Sequence, residues 1–412
     1  MRIRTVVPAT LAALVIFSAP LQAQRINEVG FSASAVAAAD DNPRVTGLGT
    51  GQVADDYTFT WGFYPALDLT SRGERSLLGL RYAFGLNRVD SELDLDSESH
   101  QVGLNYTYET EKWVVELADS FSRSPDFATF NLFHGIVFTP EGMFFDYETL
   151  ALRRNRNRNT ASVDLRRRIG EHSWLTMGGG HSLVDTEEDP LFQRRLTDQS
   201  QATAHLGFSR DLSSRLSLET RYNFSHYNFN NDFYSDSRQH AGSLNIRYQA
   251  APTVRLWAGA GPAYTEQIGT GSSFVGYNVN VGVSKEFERQ FVTLSYARRS
   301  GASVGIGSLS ETDHLNFGFS QQLARRVSAD FGLSAYRTQR LFDNIYDFEG
   351  LSSSLSLNFL LGRYWSLSVG ASYQTQEEIS DEDPVVAGRQ IDFDRRRAFV
   401  SLRFNIPNLG RF

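Results

Sequence analysis

Val275, Tyr277, Val279, Val281 and Val283 are apolar, and Gly276, Asn278, Asn280, Gly282 and Ser284 stand between them. After a charged knot, Lys285-Glu286-Phe287-Glu288-Arg289, the alternation resumes, with Val292, Leu294 and Tyr296 set against Thr293, Ser295 and Ala297. A period of two belongs to a β-strand, whose successive side chains point to opposite faces. One face of each segment therefore needs an apolar environment and the other a polar one.

The pattern fills the chain. It returns in Tyr57, Phe59, Trp61 and Phe63; in Leu78, Leu80, Tyr82 and Phe84; in Leu216, Leu218, Tyr222 and Phe224; and in Ala398, Val400, Leu402, Phe404 and Ile406. No segment of similar length shows a helical period. With Val29, Phe31 and Ala33 as the first, the strands number about eighteen, on the scale of the 16 to 18 strands of porins. Connections alternate in length. Short ones such as Ser71–Arg75, Glu109–Lys112 and Glu286–Gln290 are followed by long ones such as Asn87–Ser99, Ser124–Asn159 and Gln376–Arg395. Short-long alternation is the signature of an up-and-down antiparallel barrel, with tight turns at the periplasmic end and longer loops outside. An even strand count puts both termini in the periplasm.

Composition agrees with β structure: 30 Phe, 17 Tyr and 33 Gly in 412 residues, with a formal net charge of −7. The absence of Cys excludes a disulfide scaffold, thiolate metal sites and a Cys nucleophile. Arg2 and Arg4 precede the apolar run Thr5–Ala19, and Leu21-Gln22-Ala23 offers a small-residue cleavage site. Residues 1–23 thus read as an export signal and 24–412 as the mature barrel. After the signal no apolar run reaches 18 residues, which disfavours a helical membrane protein.

A soluble sandwich or a propeller has the same alternation with its apolar face inside. Export disfavours both, as do aromatics near strand ends (Tyr57, Tyr108, Trp113, Tyr264, Tyr364, Trp365 and Tyr373), where membrane-interface girdles sit. Only a closed barrel lets strands enter lipid with every backbone group paired. Signal, alternating strands, short turns and the C-terminal Phe412 resemble Gram-negative outer-membrane β-barrels. In length, strand count and polar, Gly-rich character the chain is similar to the β-barrel porins encoded with exopolysaccharide systems. The resemblance implies surrounding lipid and lipopolysaccharide, the barrel assembly machinery and a periplasmic polysaccharide-export partner. The final strand departs from the usual pattern at Pro407, Asn408 and Gly410.

A ring this wide leaves a lumen. Its expected lining includes Arg81, Glu116, Asp164, Arg166, Arg168, Glu219, Arg221, Arg247, Arg255, Asp330 and Arg403, among many Gly, Ser and Asn. The longest loop is rich in Phe (Phe130, Phe133 and Phe138) and ends in Arg153, Arg154, Arg156 and Arg158. It either folds inward as a constriction, packs over the mouth, or extends its strands as a hairpin. Its arginines favour anions if they line the narrow point. Alternatively they pair with Asp146, Glu148 or Asp164, or with lipopolysaccharide phosphates. Runs of outer-loop carboxylates match no EF-hand spacing and read as solvated faces. His226, His240, Asp236, Ser225 and Ser235 gather near one loop, but form no triad order that marks a hydrolase. No catalytic group, metal or cofactor is expected, and no nucleic-acid stripe is present. The expected function is an outer-membrane channel passing a polysaccharide or another hydrophilic solute. A general diffusion porin with anion preference is the rival, and a structural or adhesive barrel is the third possibility.

Overall fold

The computed structural model describes residues 26–42, 57–90, 96–124, 137–139, 142–144, 156–186, 198–229, 235–303, 308–342, 347–379 and 393–411. The expected export signal, Phe412, Phe130, Phe133, Arg153 and Arg154 lie outside them, as do parts of the acidic loops.

Among the described residues, twenty strands follow one another: β1 (Ile26–Asp40), β2 (Thr58–Arg72), β3 (Ser76–Val89), β4 (Ser97–Glu109), β5 (Trp113–Ser124), β6 (Val137–Thr139), β7 (Gly142–Phe144), β8 (Arg156–Gly170), β9 (Ser173–Thr186) and β10 (Gln199–Ser213), then β11 (Leu216–Phe229), β12 (Ser237–Ala251), β13 (Val254–Gln267), β14 (Ser273–Glu286), β15 (Gln290–Ser303), β16 (Ser308–Ala324), β17 (Val327–Arg340), β18 (Phe348–Leu360), β19 (Trp365–Glu378) and β20 (Phe393–Arg411). Eighteen of them form one sheet in which each strand pairs antiparallel with its neighbours, while β6 and β7 form a separate hairpin. The sheet closes because β1 pairs with both β2 and β20. Closure leaves no open edge, which is what lipid demands of a spanning sheet.

The wall is apolar outside. Phe59, Trp61, Leu80, Leu206, Val275, Val281, Leu294 and Val400 are exposed although they lie in fully paired strands. In the hairpin of β14 and β15, Val281 pairs with Tyr296 and Val283 with Leu294 on the outer face, while Ser284 with Thr293 and Gly282 with Ser295 pair on the inner face. The hydrophobic effect is thus inverted relative to a soluble sandwich. Val281 lies mid-strand, so Val281→Arg is expected to cost about 2–4 kcal/mol in a bilayer. Ser354→Arg, on the inner face of β18, should change stability by no more than about 0.5 kcal/mol. Urea unfolding of the two variants in lipid vesicles reads the difference, and equal losses would reverse the facing.

The eighteen strands of the ring, 12 to 19 residues long, exceed the roughly 9–11 residues that a tilted strand needs to cross the hydrocarbon. They run on beyond the bilayer at the long-loop end. Strand ends therefore reach into the expected long loops: Arg156 and Arg158, for example, belong to strand β8 and not to the loop before it. Pro407 does not end the last strand either. The register of β20 against β1 slips between the pairs Phe31–Ile406 and Val29–Gly410. This bulge sets the residue without an N–H outside the ladder, and the outward phase returns at Gly410.

At the seam, Arg395 donates from Nε to both Asp40 oxygens at 3.1 Å and from Nη2 to Oδ2 at 2.7 Å, with both side chains buried. Beside it the Arg396 backbone N–H donates to Asp41 Oδ1 at 2.6 Å. The first and last strands are therefore clasped at the long-loop end.

Candidate functional site

The interior wall changes character along its height. Inward residues near the short turns are open to water: Arg403 is exposed, as are Arg168 and Arg255. Towards the long-loop end the inward rows become buried, as in Ser334, Tyr336 and Thr338 on β17, Gln374 and Gln376 on β19, and Arg395 and Arg397 on β20. Polar side chains on the inner face of a hollow ring are buried only where something lies over them. Hairpin β6–β7 supplies part of that cover. It belongs to the segment between β5 and β8, yet β7 packs against β15 and β16. These strands lie on the opposite side of the ring, separated from β8 by β9 to β14 and from β5 by β17 round to β4. The hairpin therefore sits across the ring from the strands that precede and follow it in the chain. Phe138 lies within β6. A second cover comes from Leu309 at the top of β16, which packs with Tyr227 and Phe229 of β11 and with Leu341 and Phe342.

All eleven side chains expected to line the lumen point inward by strand register. Most are organised as pairs. Arg166 Nη2 lies 2.7 Å from Glu116 Oε1 across β5 and β8. Arg81 Nη1 lies 3.8 Å from Asp68 Oδ1. Glu219 receives Arg221 at 2.9 Å and Arg247 at 3.6 Å. His205 Nε2 lies 2.9 Å from Asp164 Oδ1. Asn358 donates to Asp330 Oδ2 at 2.5 Å. Arg168 binds the carbonyls of Gly170 and Glu171 and lies over the Trp174 ring. These pairs are half-exposed, so each adds little to stability; their effect is on the field inside the bore. The covered half holds further charged residues. Arg156, Arg158, Arg340, Arg395 and Arg397 all lie on the inner face there, four of them buried, with Asp40 as the clasped carboxylate.

The sequence reading left one class of inward residue unnamed: large aromatics. Trp257, Tyr336 and Phe399 each lie across from a glycine in register, Gly282, Gly350 and Gly370. A β-carbon at any of those glycines would collide with the ring. Glycine here makes room for a ring lying flat on the wall. The signal that could have found them is phase, since Trp257 shares parity with Arg255 and Gly259. Gly79 and Gly103, by contrast, face open space and simply widen the bore.

The histidine and serine residues near the β11–β12 loop do not converge. Ser225 is buried on the inner face, whereas His240 faces outward, with Nδ1 2.7 Å from the Tyr222 hydroxyl. Asp236 accepts from Asn228 and from the Phe229 backbone N–H. Among the described residues, no group of three His, Asp or Glu is placed to hold a metal ion.

No protein-family model matches the chain, and no curated protein does. Solved structures do. Pseudomonas aeruginosa OccK2 (OpdF), crystallised in complex with glucuronate, superposes with a TM-score of 0.51 at 11% identity over 92% of this chain and 98% of that one. The outer membrane protein opdK of P. aeruginosa gives 0.49 at 11% identity over 92% and 99%. Acinetobacter baumannii OccAB4 gives 0.48 at 10% identity over 94% and 100%. The chain has the fold of an outer-membrane porin. With a lipid-facing exterior on an 18-stranded ring, this porin-fold barrel resides in the Gram-negative outer membrane. None of these three structures links it to exopolysaccharide export.

Proposed function

We propose that this barrel is a general diffusion porin for small hydrophilic solutes, with a preference for anions, and that its short turns and both termini face the periplasm. The observation that carries the reading is the inner wall of the covered half. There Arg156, Arg158, Arg340, Arg395 and Arg397 reach the bore from β8, β17 and β20, strands spread around the ring. Fixed charge sets ion selectivity where a pore is narrow, because counter-ions there cannot avoid the field. In this reading hairpin β6–β7, which meets β15 and β16, narrows the bore at the same level, which suits small solutes better than a polymer chain.

Reversal potentials across planar bilayers in a KCl gradient test this. Chloride should permeate better than potassium, and the double variant Arg340→Glu/Arg397→Glu should bring the ratio to one or invert it. Cation preference in the wild type would overturn the anion reading, and a barrel without conductance would overturn the channel.

A further inference from the structure

Asp119 breaks the apolar pattern of the outer wall. It lies on β5 between Leu117 and Phe121 of the same face, and it pairs across the sheet with Leu104 of β4 and Ala161 of β8. Trp113 and Phe121 share its face and are exposed, as is Val163 beside Ala161, so the Asp119 carboxylate points to lipid. It stands six residues beyond Trp113 at the turn end. That is about 15 Å up a tilted strand, inside an apolar band about 25 Å tall. Asn159 Nδ2 donates to its Oδ1 at 2.9 Å, and its other oxygen has no partner among the described residues. Farther along the same row, past Ala161, His181 of β9 also faces outward, exposed and without a hydrogen-bond partner among the described residues. Around the two the wall is shallow, because Ala161, Gly179, Ala202 and Ala204 all lie on its outer face.

An ionisable group set in hydrocarbon is costly, and such groups pair. We propose that the wall formed by β4, β5, β8, β9 and β10 is the contact face between two copies of this barrel, with Asp119 of each meeting His181 of the other. A two-fold axis along the membrane normal at Ala161 exchanges the two positions, so one acid and one base per copy make the bond twice. Small residues let the two walls approach closely, as they do at other contacts within membranes. His181 stands eight residues beyond Ser173, two farther from its turn than Asp119. The offset in height, about 5 Å, is one that a carboxylate and an imidazole span together. Five strands about 4.8 Å apart and a band about 25 Å tall offer about 600 Å² per copy, so the pair buries about 1,200 Å², the lower end of a stable interface. Lipid is the poorer occupant. Acyl chains offer the carboxylate no donor, and lipopolysaccharide phosphates would set anion against anion. The inference does not depend on what passes through the bore.

The chain has no Cys, so single introduced thiols report the contact without background. In barrels refolded into lipid vesicles, a short bismaleimide should couple Ala161→Cys into a covalent dimer. Ala335→Cys, on the outer face of β17 across the ring, should stay monomeric. Asp119→Ala or His181→Ala should weaken the dimer about tenfold, read as mass by light scattering over a dilution series in mild detergent. The exchange Asp119→His/His181→Asp should restore it, which a loss through misfolding would not. A mobility shift on heating in SDS gels checks that each variant is a barrel. The proposal is overturned by a wild-type mass of one chain at every dilution, by equal coupling at Ala161→Cys and Ala335→Cys, or by Asp119→Ala dimers as tight as the wild type. A monomer that retains lipopolysaccharide only while Asp119 is present would also overturn it and give the face to lipid.

Discussion

Deleting Phe130–Asn155 and joining the flanks with a short Gly-Ser turn is expected to raise single-channel conductance several-fold and to reduce its anion preference. The reason lies in where the deleted segment goes. Strand β7 meets β15 and β16, on the far side of the ring from the strands that bracket it. In the proposed reading this segment narrows the bore and removes cross-section where resistance is concentrated. It also brings ions closer to Arg340 and Arg397, so removing it lowers the field that a passing ion feels. Strand pairing does not depend on it, because β5 and β8 pair with each other from Trp113–Arg167 to Ser124–Arg156 without the intervening residues. The variant should therefore remain a barrel that shifts mobility on heating in SDS gels. Single-channel recording in symmetric KCl decides the matter: unchanged conductance would place the hairpin outside the ion path.

The second large effect is expected at the seam. Asp40→Ala leaves the Arg395 guanidinium buried without the carboxylate that receives it through two nitrogens. Breaking one side of a buried pair costs about 3–5 kcal/mol, because the remaining charge keeps its desolvation penalty. Adding Arg395→Leu should return much of that loss, since removing both partners also removes the stranded charge. The urea midpoint of the refolded barrel in vesicles measures both. A single variant as stable as the wild type would mean that the clasp contributes nothing to closure. Outward-facing exposed pairs such as Arg88–Asp96 should, by contrast, be nearly silent on substitution.

Much of this fold was legible in the sequence, because a membrane wall writes its two environments into alternate residues. The Val275–Val283 and Val292–Tyr296 faces point to lipid as their period implies. Short and long connections alternate, and the count of eighteen follows from them. What escaped is of three kinds. Residues 40 and 395 meet only when the ring closes, and no local pattern couples positions so far apart. Hydropathy assigns every large aromatic to the apolar face, so Trp174, Trp257 and Tyr336 were missed on the inner wall. There they pack on neighbouring glycines or lie beside arginines, and parity was the better guide. Arg156 and Arg158 read as loop because their neighbours are polar on both faces. Strands that overhang the bilayer have lost the contrast from which the period is read.

The falling cover along the inner wall also divides the journey of a solute. On the short-turn side of the covered half the inner wall is open to water, so in the proposed orientation its contents exchange with the periplasm as part of the same compartment. All of the encounter, dehydration and sorting is compressed into the outer half, beside the buried arginines. A barrel that is long as an object is then short as a barrier. Its throughput is set by one brief passage, and the rest of its length is an antechamber in which a molecule can be held before it leaves.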